Sequence, residues 1–151
     1  MKTGFFSAVA VPVIVFFAAP AVAENPAHLE QLLETNLCQG CDLSGADLSN
    51  AHLIGADLRG ADLSGTNLSA ANLEGADLTG ANLAGSNLSN AFLNSASLRE
   101  SNLEDVNFSD ANLSFADLTD ADLTDAILLN ANLNGADLKQ ANMPSEILGR
   151  Q

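Results

Sequence analysis

The sequence predicts an all-β solenoid built from very short strands, and three features of its 151 residues predict it. From Cys41 onward a large apolar residue returns every fifth position, at Leu43, Leu48, Leu53 and onward to Met143. Two residues before it stands Ala in 16 of 21 units, with Asp or Asn between them in 17. The closing position is Gly in eight units. A five-residue period fits neither the 3.6 of a helix nor unbroken alternation. Ala-x-Leu alone is strand alternation, with Ala and Leu on one side and Asp or Asn on the other. The closing pair, such as Ser44-Gly45 or Thr79-Gly80, is turn chemistry, and Gly suits a positive φ. Each unit is a short strand and a corner. One unit cannot bury its own Leu, so units must stack.

Residues 1–23 read as a secretory leader. Lys2 supplies the positive start, an apolar run extends from Phe5 to Ala19, and Ala21-Val22-Ala23 is a small-x-small cleavage site before Glu24. The run is shorter than the roughly 20 residues that span a bilayer, so no stable membrane insertion is expected after cleavage; an uncleaved anchor is the competing reading. Residues 24–37 form the next segment. Asn25 is a good N-cap and Pro26 a good first helical residue. Leu29, Leu32 and Leu33 make one apolar stripe opposite Glu30 and Glu34. The pattern predicts a helix over 26–35 lying on the first coil, in preference to a flexible stub.

Residues 38–145 are the repeat. In its register Cys38 takes a Leu position and Cys41 the next Ala position, both inward across one corner with Gly40 between. The ends of such a turn lie within about 7 Å, compatible with a disulfide, and in an exported protein a structural Cys38–Cys41 bridge is the leading reading, with packed thiols second. A redox-active pair is disfavoured because the βαβ context of a thioredoxin-like site is missing. Zinc is disfavoured because only His28 and His52 could join the thiols, at unsuitable spacing. Phe108 is the one aromatic Leu replacement and shares its unit with Val106, so both should be core. Residues 146–151 form a tail whose Ile147 and Leu148 are meagre cover for the last coil.

The unit Ala-[Asp/Asn]-Leu-x-x resembles the pentapeptide-repeat family, and the match runs over residues 41–145 almost without slippage. The resemblance implies a right-handed quadrilateral β-helix with four units per coil. Twenty-one units then give about five coils, capped by the short N-terminal helix, in a rod about 25 Å long. A 20-residue coil places Arg59, Arg99 and Lys139 in one column, beside the column Asp57, Asp77, Ser97, Asp117, Asp137. That side is expected to be nearly neutral on an otherwise acidic rod.

Nineteen acidic residues against five basic, a net charge of −14, exclude a protein that grips nucleic acid through its phosphates. A hydrophobic content of 47% excludes a disordered acidic tail. No G-x-S-x-G, P-loop or His-carboxylate metal motif is present, so no catalytic residue, cofactor or metal ligand is assigned. Two surface features exceed what the repeat demands. Acidic residues crowd the late corners: Glu100, Glu104, Asp105, Asp110, Asp117, Asp120, Asp122 and Asp125. They read as a docking patch for a basic partner or a weak Ca²⁺ site, or as a solvated face that maintains solubility, the preferred reading. Ile54, Phe92, Phe115, Ile127 and Leu129 occupy outward positions.

These features favour a non-enzymatic structural or interaction scaffold, exported to the periplasm or, by resemblance to signal-bearing cyanobacterial members of the family, the thylakoid lumen. Its expected partner is another protein, with a weak homodimer through the C-terminal coil where Ile127, Leu129, Ile147 and Leu148 offer apolar surface. The alternative class, also implied by the resemblance, is an acidic DNA mimic that occupies the DNA site of gyrase. Its charge fits, but a leader does not suit a cytoplasmic target. A thiol redox protein using Cys38 and Cys41 comes third.

Overall fold

The computed structural model describes residues 25–145; the expected leader and the tail at 146–151 lie outside the described residues. Every bridged pair among the described residues joins residue i to i+20 in parallel. Four ladders result. Face 1 is Leu37-Asp57-Asp77-Ser97-Asp117-Asp137, face 2 runs from Asp42 to Asn142, face 3 from Asp47 to Ile127 and face 4 from His52 to Asn132. Each strand contributes one bridged residue, the outward Asp or Asn of its unit, because the chain turns again two residues later. Six rungs on face 1 make a stack about 24 Å high. The shared 20-residue step also sets Arg59, Arg99 and Lys139 in one column at the corner between faces 1 and 2.

One unit shows why the geometry is stable. The Asp62 N–H donates to the Cys41 carbonyl in the coil below, and the Leu63 and Gly65 N–H groups donate to Asn82 and Ala84 above, at 2.7–2.9 Å. The Thr66 N–H closes the corner on the Leu63 carbonyl at 3.1 Å. The remaining N–H, of Ser64, donates to the Asp62 side chain at 3.0 Å. All five amides are satisfied, one of them only because the outward residue has a short side-chain acceptor; this is an Asx turn. The third residue of every corner from Gly40 to Gln140 has φ between +55° and +74°, the type II requirement.

The Leu positions from Leu43 to Leu123 are buried, as are Cys38, Cys41, Val106 and Phe108. Thr66 and Ser101 occupy Ala positions and satisfy their hydroxyls on the Leu43 and Leu98 carbonyls. Ser86 Oγ is buried with no partner among the described residues. In the last coil the inward residues Leu128, Leu133, Leu138 and Met143 are only partly buried.

At the other end, helix α1 spans Pro26–Thr35, with the Asn25 side chain accepting from the Ala27 N–H and Asn36 as a left-handed C-cap. Leu32 is fully buried and Leu29 packs against the core. Leu33 departs from the stripe the sequence predicts and is 57% exposed. One helix on a narrow coil end buries only the centre of its stripe, and Leu33 lies about 100° round from Leu32.

Candidate functional site

The N-terminal junction brings both cysteines together. The Cys38 and Cys41 sulfurs are at bonding distance, 2.06 Å, with Cα atoms 5.2 Å apart. Cys38 is fully buried and Cys41 is 4% exposed, beneath α1, whose His28 carbonyl lies 3.3 Å from Cys38 Sγ. Polar side chains of α1 take the place of a coil below. The Asp42 N–H donates to His28 Nδ1 at 2.9 Å, Gln31 Nε2 donates to the Leu37 carbonyl at 2.7 Å, and the Leu37 N–H donates to Thr35 Oγ1 at 3.1 Å. The sequence reading assigned none of these contacts, because they depend on where the helix lands rather than on its period.

On the outer surface, Asn side chains link successive coils. Asn67 Nδ2 donates to Asp47, Asn82 to Asp62, and Asn102 to Asn82, at 3.0–3.2 Å. The sequence placed these residues outward but missed their role. The signal was the 20-residue step, which sets Asn67 over Asp47 and Asn82 over Asp62.

Where Asp stacks on Asp, face 1 supplies cations. The Arg59 guanidinium donates through Nε to Asp57 at 2.8 Å and lies 3.7 Å from Asp77. Arg99 pairs with Asp117 at 3.3 Å, and Lys139 with Asp137 at 2.7 Å. The hydrogen bond from Arg59 holds the Asp57 carboxyl below the usual range, and Lys139 does the same for Asp137. Asp117 and Asp122 are held low chiefly by the hydroxyls of Thr119 and Thr124, Asp42 and Asp47 by those of Ser44 and Ser49. The near-neutral side expected from the sequence is not reached, because Glu100 and Asp120 share the corner of Arg99 and Lys139.

The eight acids of the late corners divide. Asp117 lies on face 1, Glu100 and Asp120 stack at the next corner, Asp122 follows on face 2, and Glu104, Asp105 and Asp125 gather at the corner after it. Asp110 stands apart, one corner further round, accepting from Asn130 Nδ2 at 3.1 Å. Glu100, Asp105, Asp120 and Asp125 all sit at φ of +55° to +60°, where a Cβ is strained. Among the described residues no group of three His, Cys, Asp or Glu side chains is arranged to hold a metal ion. No described helix is long and apolar enough to cross a membrane.

The family description "Pentapeptide repeats (8 copies)" matches residues 41–80, 66–105, 76–114 and 107–143, most of the repeat seen in the coils. The chain belongs to the pentapeptide-repeat family. Its architecture is the right-handed quadrilateral β-helix of pentapeptide-repeat proteins. Among solved structures it is similar to QnrB1, a plasmid-mediated fluoroquinolone resistance protein, at 26% identity and a TM-score of 0.51, covering 74% of this chain and 62% of that one. It is similar to the pentapeptide-repeat protein Rfr23 of the cyanobacterium Cyanothece 51142 at 28% identity and a TM-score of 0.46, covering 78% and 98%. A third, from the Arabidopsis thaliana thylakoid lumen, shares 33% identity at a TM-score of 0.40, covering 68% and 65%. No curated protein sequence matches the chain significantly.

Proposed function

We propose that this pentapeptide-repeat protein is an exported, non-enzymatic scaffold that presents the acidic corners flanking face 2 to a basic protein partner. Family membership supports the non-enzymatic part, since pentapeptide-repeat proteins are generally structural or interaction proteins. One observation carries the choice of surface. Glu100, Asp105, Asp120 and Asp125 occupy positive-φ corners where earlier coils have Gly, yet their carboxylates make no hydrogen bond or ion pair among the described residues. Stacked acids about 5 Å apart also repel one another. Neither feature helps the fold, whereas both suit a partner bringing Lys or Arg. In this reading α1 caps a rod of about five coils, the Cys38–Cys41 pair is oxidised outside the cytoplasm, and the periplasm or thylakoid lumen is the destination. The C-terminal coil, with Ile127 and Leu129 exposed, supports a weak tail-to-tail homodimer.

The test is fractionation with N-terminal sequencing, followed by capture of partners from that fraction. The reading expects Glu24 as the mature N-terminus and partners lost when Glu100, Asp105, Asp120 and Asp125 are changed to Gly. A cytoplasmic, unprocessed chain would overturn it. The likeness to QnrB1 and the acidic surface support a second reading, a DNA mimic acting on gyrase. Protection of gyrase from a fluoroquinolone by the purified protein would select it.

A further inference from the structure

We propose that Asn134 is a self-modifying site: in the folded protein it deamidates through the backbone nitrogen of Gly135. From Gly40 to Asp120, the N–H of every third corner residue donates to a carbonyl in the coil above, as Gly80 does to Arg99 at 2.8 Å and Ser95 to Ser114 at 3.0 Å. Gly135 belongs to the last described coil, and its N–H has no partner among the described residues. The residue before it, Asn134, is exposed. Its backbone is fixed by the Asn134 N–H donating to Asn132 Oδ1 and by the Phe115 N–H donating to its carbonyl, but its side-chain amide has no hydrogen-bond partner among the described residues. Gly135 also presents no Cβ beside the exposed Phe115 ring. Its φ is +74°, and the Phe115 ring lies 2.7 Å from where a Cβ would be. The nucleophile is therefore an amide nitrogen with neither a hydrogen-bond acceptor nor a neighbouring Cβ to hinder it.

The chemistry needs only water. The Gly135 nitrogen attacks the Asn134 side-chain carbonyl carbon, a C–N bond closes a succinimide ring, and the side-chain nitrogen leaves as ammonia with the proton that the Gly135 nitrogen loses. Water then adds to either ring carbonyl and breaks one C–N bond, leaving Asp or isoaspartate at 134. Both products add a carboxylate to the corner between faces 4 and 1, where Glu74 is the acidic residue present. Isoaspartate also lengthens the main chain of that corner.

The molecule holds its own control. Asn94-Ser95 is the equivalent corner two coils earlier, with its nitrogen tied into the ladder. The variant Ser95→Gly makes the two dipeptides identical, and Gly is welcome there because Ser95 already has φ +59°. The experiment incubates the folded full chain carrying S95G at mildly alkaline pH. Tryptic fragments ending at Arg99 and Lys139 then separate the two sites for mass spectrometry, with heavy-oxygen water marking hydrolysis. Asn134 is expected to gain the deamidation mass at least about tenfold faster than Asn94, the protection that a ladder hydrogen bond gives through local stability. In denaturant the two should react at similar rates. Equal rates in the folded S95G chain would overturn the proposal. So would an Asn134 that survives in the folded protein but reacts when unfolded.

Discussion

The two ends of the rod are built differently. At the N-terminal end Leu32 of α1 is fully buried in the core that holds Cys38 and Leu43, and His28, Gln31 and Thr35 satisfy backbone groups that a coil below would have met. At the other end Leu128, Leu133, Leu138 and Met143 are only partly buried, and the N–H groups of Leu133, Gly135, Leu138 and Gln140 find no partner among the described residues. Coil geometry is the same at both ends, since the 20-residue ladder continues through each. What differs is the cover. In a stack where each coil touches only its neighbours, local stability should follow cover rather than sequence quality.

The largest difference between the ends should come from truncating inward side chains. Phe108→Ala removes the largest fully buried side chain and should cost about 3–5 kcal/mol in denaturant unfolding, whereas Leu133→Ala, half-covered, should cost less than about 2 kcal/mol. Equal losses would refute a stability gradient. Leu32→Ala should cost about 3 kcal/mol and expose Cys38 and Cys41 to reductant, whereas Leu33→Ala, at an exposed site, should leave melting almost unchanged. Ser86→Ala should stabilise by about 1 kcal/mol, because a buried hydroxyl without a partner is removed at little change in shape.

Smaller effects test the surface. Asp42, Asp47, Asp57, Asp117, Asp122 and Asp137 all have lowered carboxyl pKa values in the fold. Each stabilises the native state above the unfolded Asp value of about 3.9, and this stabilisation is lost as pH falls through the lower folded value. The melting temperature should therefore drop on acidification below about pH 4. Replacing Arg59, Arg99 and Lys139 by Ser should lower it further at low salt than at high salt, since these pairs are exposed and screened. A loss independent of salt would mean that the three residues act through packing.

Much of this was legible in the sequence. The alternation inside five residues gave the inward and outward sets, so Phe108 and Val106 in the core and Phe92 and Phe115 on the surface follow from register alone. Asn25-Pro26 marked where α1 begins. The misses share one cause, a dependence on placement across coils. Leu33 looks equivalent to Leu29 and Leu32 on a helical wheel, and only the width of the coil end decides between them. Asp110 seemed to join the acidic patch because it is near in sequence, but a corner separates it in space. The Asn ladders lay within the same 20-residue coil that aligns Arg59, Arg99 and Lys139, but which stacked pair hydrogen-bonds is set by side-chain geometry across coils.

Residue-resolved hydrogen exchange on the full chain separates the covered end from the uncovered one. The amides of Leu63, Gly65, Leu83 and Gly80, each donating to the coil above, should exchange only on global unfolding, while those of Leu133, Gly135, Leu138 and Gln140 should exchange near the unprotected rate. Protection at Gly135 and Leu138 equal to that at Gly80 and Leu83 would contradict it.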